Sequence, residues 1–223
     1  MTDILQSCQD ISDVDRERWE SEPENIQYGL DYIKTLQNSD DIEKVITVCN
    51  ELLLYDQYNK HILKNLAEAY QNIYREEDAL NTYKNLARVD PADYDVAIDI
   101  SKILLNQEKY QDALDWTDKA IGIKGSKGNA YYQRSDIYFS VAESCTGTSL
   151  QFWDKIVYEI SWQDCKVSVN KGYGLAKARC NYLKENFITT IGDWHINRPE
   201  NEMEVTPQGD CYLWIKRSVK REK

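Results

Sequence analysis

The chain has 223 residues, a net charge of -11 at pH 7, and charged side chains at 29% of its positions. This length can bury a substantial core as one domain or one short repeat array, and it leaves no room for a second enzyme-sized domain. The acid excess argues against a nucleic-acid partner, because binding to phosphates needs clustered Lys and Arg. No segment approaches the roughly 20 apolar residues that cross a bilayer, so we expect no membrane span.

The N-terminal segment is the most acidic part of the sequence. Residues 1–60 carry 14 Asp and Glu against 5 Lys and Arg. We interpret residues 1–25 as an acidic N-terminal arm, either a weak leading helix or an unstructured segment. The first residues lack both a basic start and an apolar run, so we expect no secretory signal in the residues given.

A repeat with a period of 34 residues occupies the middle of the chain. Its clearest copy is Leu63-x-x-Leu66-Ala67-x-x-Tyr70, followed by Ala79-x-x-x-Tyr83 and then by a proline. The small residue of the second helix recurs at the same spacing, at Val45, Ala79 and Ala113. Such a period is typical of a stacked array of helical hairpins. The apolar spacing predicts helices over 61–74, 76–89, 95–107, 110–122, 129–144, 152–169 and 176–186.

These residues resemble the tetratricopeptide repeat (TPR) family, whose signature has Leu-Gly and Tyr on one helix and Ala-x-x-x-Phe on the next. The resemblance implies an all-α fold, a right-handed α-solenoid of TPR-like helical hairpins. We expect three repeats over 26–127 and a degenerate fourth repeat with capping helices over 128–190. Residues 191–223 should form a small β element with a basic tail, because Cys211–Ile215 alternates and is rich in aromatic residues.

The TPR resemblance also implies a peptide groove on the wall formed by the first helix of each pair. Lys64 matches one lysine of the clamp with which some members hold a peptide carboxylate, but Glu68 replaces the clamp's Asn. We expect Ile98, Leu105, Tyr132 and Phe139 to be exposed on this wall. The candidate groove residues are His61, Lys64, Glu68, Gln71, Asp95, Ile98, Lys102, Leu105, Tyr132, Asp136 and Phe139.

Catalytic and metal-binding patterns are scarce. The two histidines, His61 and His195, have no Cys or Asp at ligand spacing. We therefore expect no metal site, no cofactor and no enzymatic activity. His195 lies between Trp194 and Ile196, and we expect it to lie in a strand.

A second resemblance covers roughly the last 90 residues. The order Cys145, then Phe152–Ile160, then a short Ala-rich helix, then Gly209–Ile215 is similar to the C-terminal part of exported TPR proteins of Bacteroidota-like bacteria. This resemblance favours a periplasmic or exported location over a cytoplasmic one. It also leads us to predict a disulfide between Cys145 and Cys211 if the mature protein is periplasmic. We expect Cys49, Cys165 and Cys180 to be buried free thiols.

Two functions remain open at this stage. The first is a non-catalytic scaffold that binds a peptide or protein segment in the groove, with a partner of unknown identity. The alternative is an envelope structural or glycan-associated protein that makes its contacts through the aromatic C-terminal cap.

Overall fold

The structure, a computed structural model, describes residues 13–197 and 203–221. The first twelve residues of the predicted acidic arm and the last two of the basic tail lie outside that part. Residues 13–21 form helix α1. The following helices are α2 Ile26–Asn38, α3 Ile42–Leu52, α4 Lys60–Asn72, α5 Glu76–Val89, α6 Tyr94–Asn106, α7 Tyr110–Lys124, α8 Gly128–Cys145, α9 Phe152–Asn170, α10 Lys177–Asn186 and α11 Ile191–Asn197. None of these helices is long and apolar enough to cross a membrane within the described residues.

The chain divides into two compact units, residues 1–96 and 97–223. In the first unit α2 packs on α3, and α4 packs on α5, which forms the helical hairpins of the first two repeats. Helix α3 packs on α4 and so joins the two hairpins. Their core combines the apolar stripes that the 34-residue period predicts. Its members include Trp19, Tyr32, Ile33, Leu36, Val45, Ile46, Cys49, Leu52, Ile62 and Leu66.

The turn inside each of the first three hairpins has the same backbone geometry. Asp40, Tyr74 and Glu108, each 34 residues from the next, have φ of 59°, 58° and 57°. The amide that follows each of them closes the preceding helix on a carbonyl five residues back, as in Asp41 N to Leu36 O at 3.1 Å and Lys109 N to Leu104 O at 2.9 Å. The left-handed residue satisfies carbonyls that the helix end leaves open. The repeat is therefore present in the backbone as well as in the sequence.

The second unit centres on the long helix pair α8 and α9. Ser135 and Ser161 hydrogen-bond across this pair at 3.0 Å between their Oγ atoms. Asp164, buried on α9, accepts two bonds from Arg134 at 2.9 and 2.8 Å. Arg217, near the end of the chain, donates to the same carboxylate. A buried carboxylate held by two guanidinium groups in this way fixes α8, α9 and the C-terminal segment together.

The C-terminal β element is smaller than the sequence suggested. Strands β1, Glu204–Val205, and β2, Val219–Lys220, pair antiparallel. The expected strand over residues 211–215 is wrong, because this segment forms turns in which Ile215 N donates to Tyr212 O at 2.9 Å. The turn lets Tyr212 and Ile215, three residues apart, both point inward. His195 lies in helix α11 rather than in a strand, because Thr190 and Asp193 cap a helix just before it.

Two disulfides connect the elements of the second unit. Cys145 and Cys211 are bonded with their Cα atoms 6.1 Å apart, and Cys165 is bonded to Cys180 with a Cα separation of 5.5 Å. The expectation that Cys165 and Cys180 are free is therefore wrong. Sequence spacing alone did not show that α10 folds back onto α9. Cys49 is the free cysteine among the described residues, and its burial raises its pKa to about 12.

Candidate functional site

A shallow groove of about 300 Å³ lies between α2 and α4 in the first unit. These are the first helices of two consecutive hairpins, which is the wall on which the TPR resemblance places a peptide. Leu30, which is half-buried, and Ile33, which is buried, are the apolar lining residues, and the remaining lining is polar. The polar lining residues are Gln27, Asp31, Lys34, Gln37, His61 and Asn65.

Carboxamide side chains connect the two walls of this groove. Gln37 Nε2 donates to Asn65 Oδ1 at 3.0 Å, and Asn65 Nδ2 donates to the carbonyl of His61 at 2.9 Å. On α2, Gln27 Nε2 donates to Asp31 Oδ1 at 2.9 Å. Because a carboxamide both donates and accepts hydrogen bonds, this lining can pair with the N–H and C=O groups of a bound backbone.

Only one of the five first-unit candidates lines this groove. His61 is exposed on its edge. Lys64 is also exposed and pairs with Glu68 at 4.0 Å on the same helix. Gln71 accepts a hydrogen bond from Tyr83 OH at 2.7 Å, which ties it to α5. Asp95 is exposed at the start of α6.

Sequence reasoning missed the α2 side of the groove, although the signal was present. The candidate positions on α4 were His61, Lys64, Glu68 and Gln71. The same frame applied 34 residues earlier gives positions 27, 30, 34 and 37, and all four line the groove. The first repeat matches the TPR signature only weakly, with Gly29, Tyr32 and Ile33 at signature positions.

In the second unit the candidates on α6 do not form an exposed apolar wall. Ile98 is buried and Leu105 is half-buried, so the expected exposure of Ile98 is wrong. Lys102 is exposed, but it pairs with Asp99 one turn earlier at 2.9 Å. The exposed surface of α6 is therefore charged at this position, and its lysine is already paired with an aspartate.

The candidates on α8 are covered by the chain's own C-terminal segment. Phe139 is buried, contrary to expectation, because Arg179 of α10 lies 4.2 Å from its ring centroid and Phe187 packs edge-on at 6.2 Å. Arg179 also pairs with Asp136 at 3.0 Å. Burial raises the pKa of Asp136, and the charge of Arg179 partly opposes that rise.

Tyr132, the third candidate on α8, meets Tyr173 with ring centroids 5.4 Å apart. Helix α10 and its flanking residues thus occupy this wall.

A second pocket, of about 290 Å³, lies in the aromatic cap of the second unit. The buried carboxylate of Glu159 accepts a hydrogen bond from Thr189 Oγ1 at 2.5 Å, and Trp194 Nε1 donates to the same Oγ1 at 2.7 Å. Trp162 and Arg221 complete the pocket with indole and guanidinium groups. Among the described residues, no group of three or more His, Cys, Asp or Glu side chains is arranged to hold a metal ion.

Comparison with known proteins identifies the fold. No family model and no curated protein matches the sequence. A crystal structure of MamA superposes with a TM-score of 0.62 at 14% identity, over 74% of this chain and 89% of that one. YrrB, described as a TPR protein with an unusual peptide-binding site, superposes with a TM-score of 0.59 at 13% identity, over 78% of this chain and 86% of that one.

At such low identity these likenesses show the fold alone, which is an all-α, TPR-like solenoid with a small C-terminal β element. The resemblance to exported proteins of Bacteroidota-like bacteria stays a prediction.

Proposed function

We propose that the protein is a non-catalytic interaction scaffold that holds a peptide or protein segment in the groove between α2 and α4. The observation that carries this proposal is a shallow groove of about 300 Å³ between two consecutive first helices, to which the equivalent positions Gln27 and His61, and Asp31 and Asn65, both contribute. The peptide-binding site named in the description of YrrB supports a role of this kind for the fold.

The groove suits an extended segment better than a large apolar side chain. Gln37 and Asn65 bond to each other across the groove, so a bound backbone can replace this single hydrogen bond with bonds of its own. Asp31 and Lys34, on neighbouring positions of α2, place opposite charges along the lining. Such a pair favours one direction of the bound chain, because each charge attracts a different end or side chain.

A peptide array followed by titration tests this proposal. Peptides that bind the wild-type protein on the array are titrated against Gln37→Ala/Asn65→Ala and against the control variant Asn72→Ala/Asn81→Ala. The control removes two exposed carboxamides that do not line the groove. We expect the groove variant to bind about tenfold more weakly or worse, which corresponds to about 1.4 kcal/mol. Equal affinity for both variants would contradict a site in this groove.

A second candidate function uses the second pocket, which lies among aromatic residues of the second unit. The pocket of Glu159, Trp162, Trp194 and Arg221 combines hydrogen-bonding groups with indole rings, as a glycan site does. It would make the protein an envelope structural or glycan-associated component. Glycan-array binding that Arg221→Ala abolishes and Gln37→Ala/Asn65→Ala preserves would favour this alternative. The opposite pattern, or no glycan binding, would remove it.

A further inference from the structure

The connection between α3 and α4 exposes three large apolar side chains within five residues. We call residues 53–59 the aromatic loop. Leu54 is 84% exposed, Tyr55 55% and Tyr58 66%. The equivalent connections of the later repeats carry no such residues, since they read Asp-Pro-Ala-Asp over 90–93 and Gly-Ser-Lys over 125–127. Single exposed apolar residues are common on protein surfaces, but a concentration of them marks a contact site.

The aromatic loop is held in one conformation by its own backbone. Tyr55 N and Asp56 N both donate to Leu52 O, at 3.0 and 3.1 Å, and Asn59 N donates to Asp56 O at 3.2 Å. The Asn59 side chain then caps α4 by accepting from His61 N and Ile62 N. Leu52, immediately before the loop, is fully buried and anchors it. The backbone that carries the exposed side chains is therefore already ordered, which lowers the backbone entropy lost on binding.

The charge of the first unit indicates what can bind there. Residues 1–96 carry 21 Asp and Glu against 9 Lys and Arg, a net charge of -12, whereas residues 97–223 carry 17 acids and 18 bases. Lys60, next to the loop, pairs with Asp90, and the loop itself contains Asp56. A binding partner thus meets apolar anchors in a negative field, which favours positively charged partners and repels acidic ones.

We propose that the aromatic loop is a docking site for a basic, amphipathic segment of another protein. The apolar side of that segment packs on Leu54, Tyr55 and Tyr58, and its Lys and Arg are attracted by the net negative charge of the first unit. A second copy of this chain is disfavoured, because pairing the loops brings two acidic units together. Anionic lipid is disfavoured by the same repulsion. This site is separate from the α2–α4 groove and does not depend on the function proposed for it.

Fluorescence anisotropy with defined probe peptides tests this inference on the full chain. The probe is a labelled helical peptide of Lys and Leu, compared with a Glu-and-Leu version and a Lys-and-Ser version. We expect the Lys-and-Leu probe to bind best and its affinity to fall as salt rises. The variant Leu54→Ser/Tyr55→Ser/Tyr58→Ser should bind it about tenfold more weakly. The control variant Tyr74→Ser, which removes an 89% exposed tyrosine elsewhere in the same unit, should bind as the wild type does.

Three outcomes would overturn the proposal. The first is equal binding by the loop variant and the wild type, and the second is equal binding of the acidic and basic probes. The third is sedimentation of the wild type as a dimer that the loop variant loses, which would assign the loop to self-association. Circular dichroism of the loop variant shows whether its fold is intact. The Gln37→Ala/Asn65→Ala variant should bind the probe as the wild type does, because the aromatic loop does not line the groove. The outcome of this experiment is therefore independent of whether the groove proposal fails.

Discussion

Close packing at Gly128, the first residue of α8, leaves no room for a larger residue. A Cβ on Gly128 would lie 2.5 Å from the backbone oxygen of Ser168 and 2.8 Å from Cβ of Tyr173. Neither neighbour is the free end of a flexible side chain, so α8 and the end of α9 would have to separate. We predict that Gly128→Ala destabilises the protein by about 1–3 kcal/mol, as overpacking does. Urea unfolding of the full chain measures this.

Gly122 provides the matched control for that substitution. It lies in α7 and is exposed, and nothing lies within 4 Å of where its Cβ would be. Gly122→Ala should therefore stabilise by about 0.5–1 kcal/mol, since alanine has less backbone entropy to lose in a helix. If both substitutions changed the unfolding free energy in the same direction, the close approach at Gly128 would not be the cause.

Asp193, in helix α11, makes the stability of the fold depend on pH in the acidic range. Burial raises the pKa of Asp193, but hydrogen bonds from Lys155 and Thr190 lower it more, so the net pKa is below the ordinary 3.8. A group with a lowered folded pKa stabilises the fold at higher pH, and this contribution is lost as pH falls through 3.8 and below. Asp193→Asn keeps an oxygen to cap α11 but cannot ionise. We predict that wild type loses more stability than this variant between about pH 5 and about pH 3. Parallel pH profiles of the urea midpoint would refute the prediction.

At the scale of elements, the turn of each of the first three hairpins contains one residue with a left-handed backbone conformation. Tyr74 has φ of 58° and is 89% exposed, so its side chain gains little that would offset the cost of this backbone conformation. We predict that Tyr74→Gly stabilises by about 0.5–1 kcal/mol, because glycine adopts φ above zero without a steric cost. Tyr74→Ala keeps the Cβ and should give no gain. Equal thermal midpoints for the two variants would show that the turn is not strained.

The elements that follow local rules were predictable, and those set by long-range contacts were not. The 34-residue period predicted the helices of the second and third hairpins with ends close to those observed, since each hairpin folds around its own apolar stripes. The strand predicted over residues 211–215 was wrong, because five apolar residues in a row do not show whether positions two or three apart face inward, and here Tyr212 and Ile215 do. The turn that this segment forms is fixed by Tyr212 OH donating to the buried carboxylate of Asp154, 58 positions away.

The candidate groove shows the same limit at the scale of the whole molecule. Of the repeat positions predicted on α4, His61 lines the groove, whereas Lys64, Glu68 and Gln71 do not. The repeat positions also did not predict that Arg179 and Phe187 would cover Phe139 on α8, because this depends on the path of the chain after α9. A frame thus gives the positions that can face a groove, and tertiary packing determines which of them remain accessible.

The two disulfides lie in the same unit but differ in access to a reductant. Cys145 is half-buried and Cys211 exposed, whereas Cys165 and Cys180 are buried. Because a reducing thiolate must reach a sulfur atom, we predict that graded dithiothreitol opens the Cys145–Cys211 bond first. Mapping with two alkylating reagents, one before and one after denaturation, identifies the order.

Losing the first bond should cost about 4 kcal/mol in the chain-entropy account, because it closes the longer loop, whose ends are 66 positions apart. The segment should nevertheless stay attached at first, since Tyr212 still bonds Asp154 and Arg217 still bonds Asp164. Hydrogen exchange should therefore speed up near residues 203–221 and stay unchanged in α2–α5. Simultaneous opening of both bonds would contradict the role of access. Peptide maps from the native host that show Cys145 and Cys211 as free thiols would contradict the bond itself.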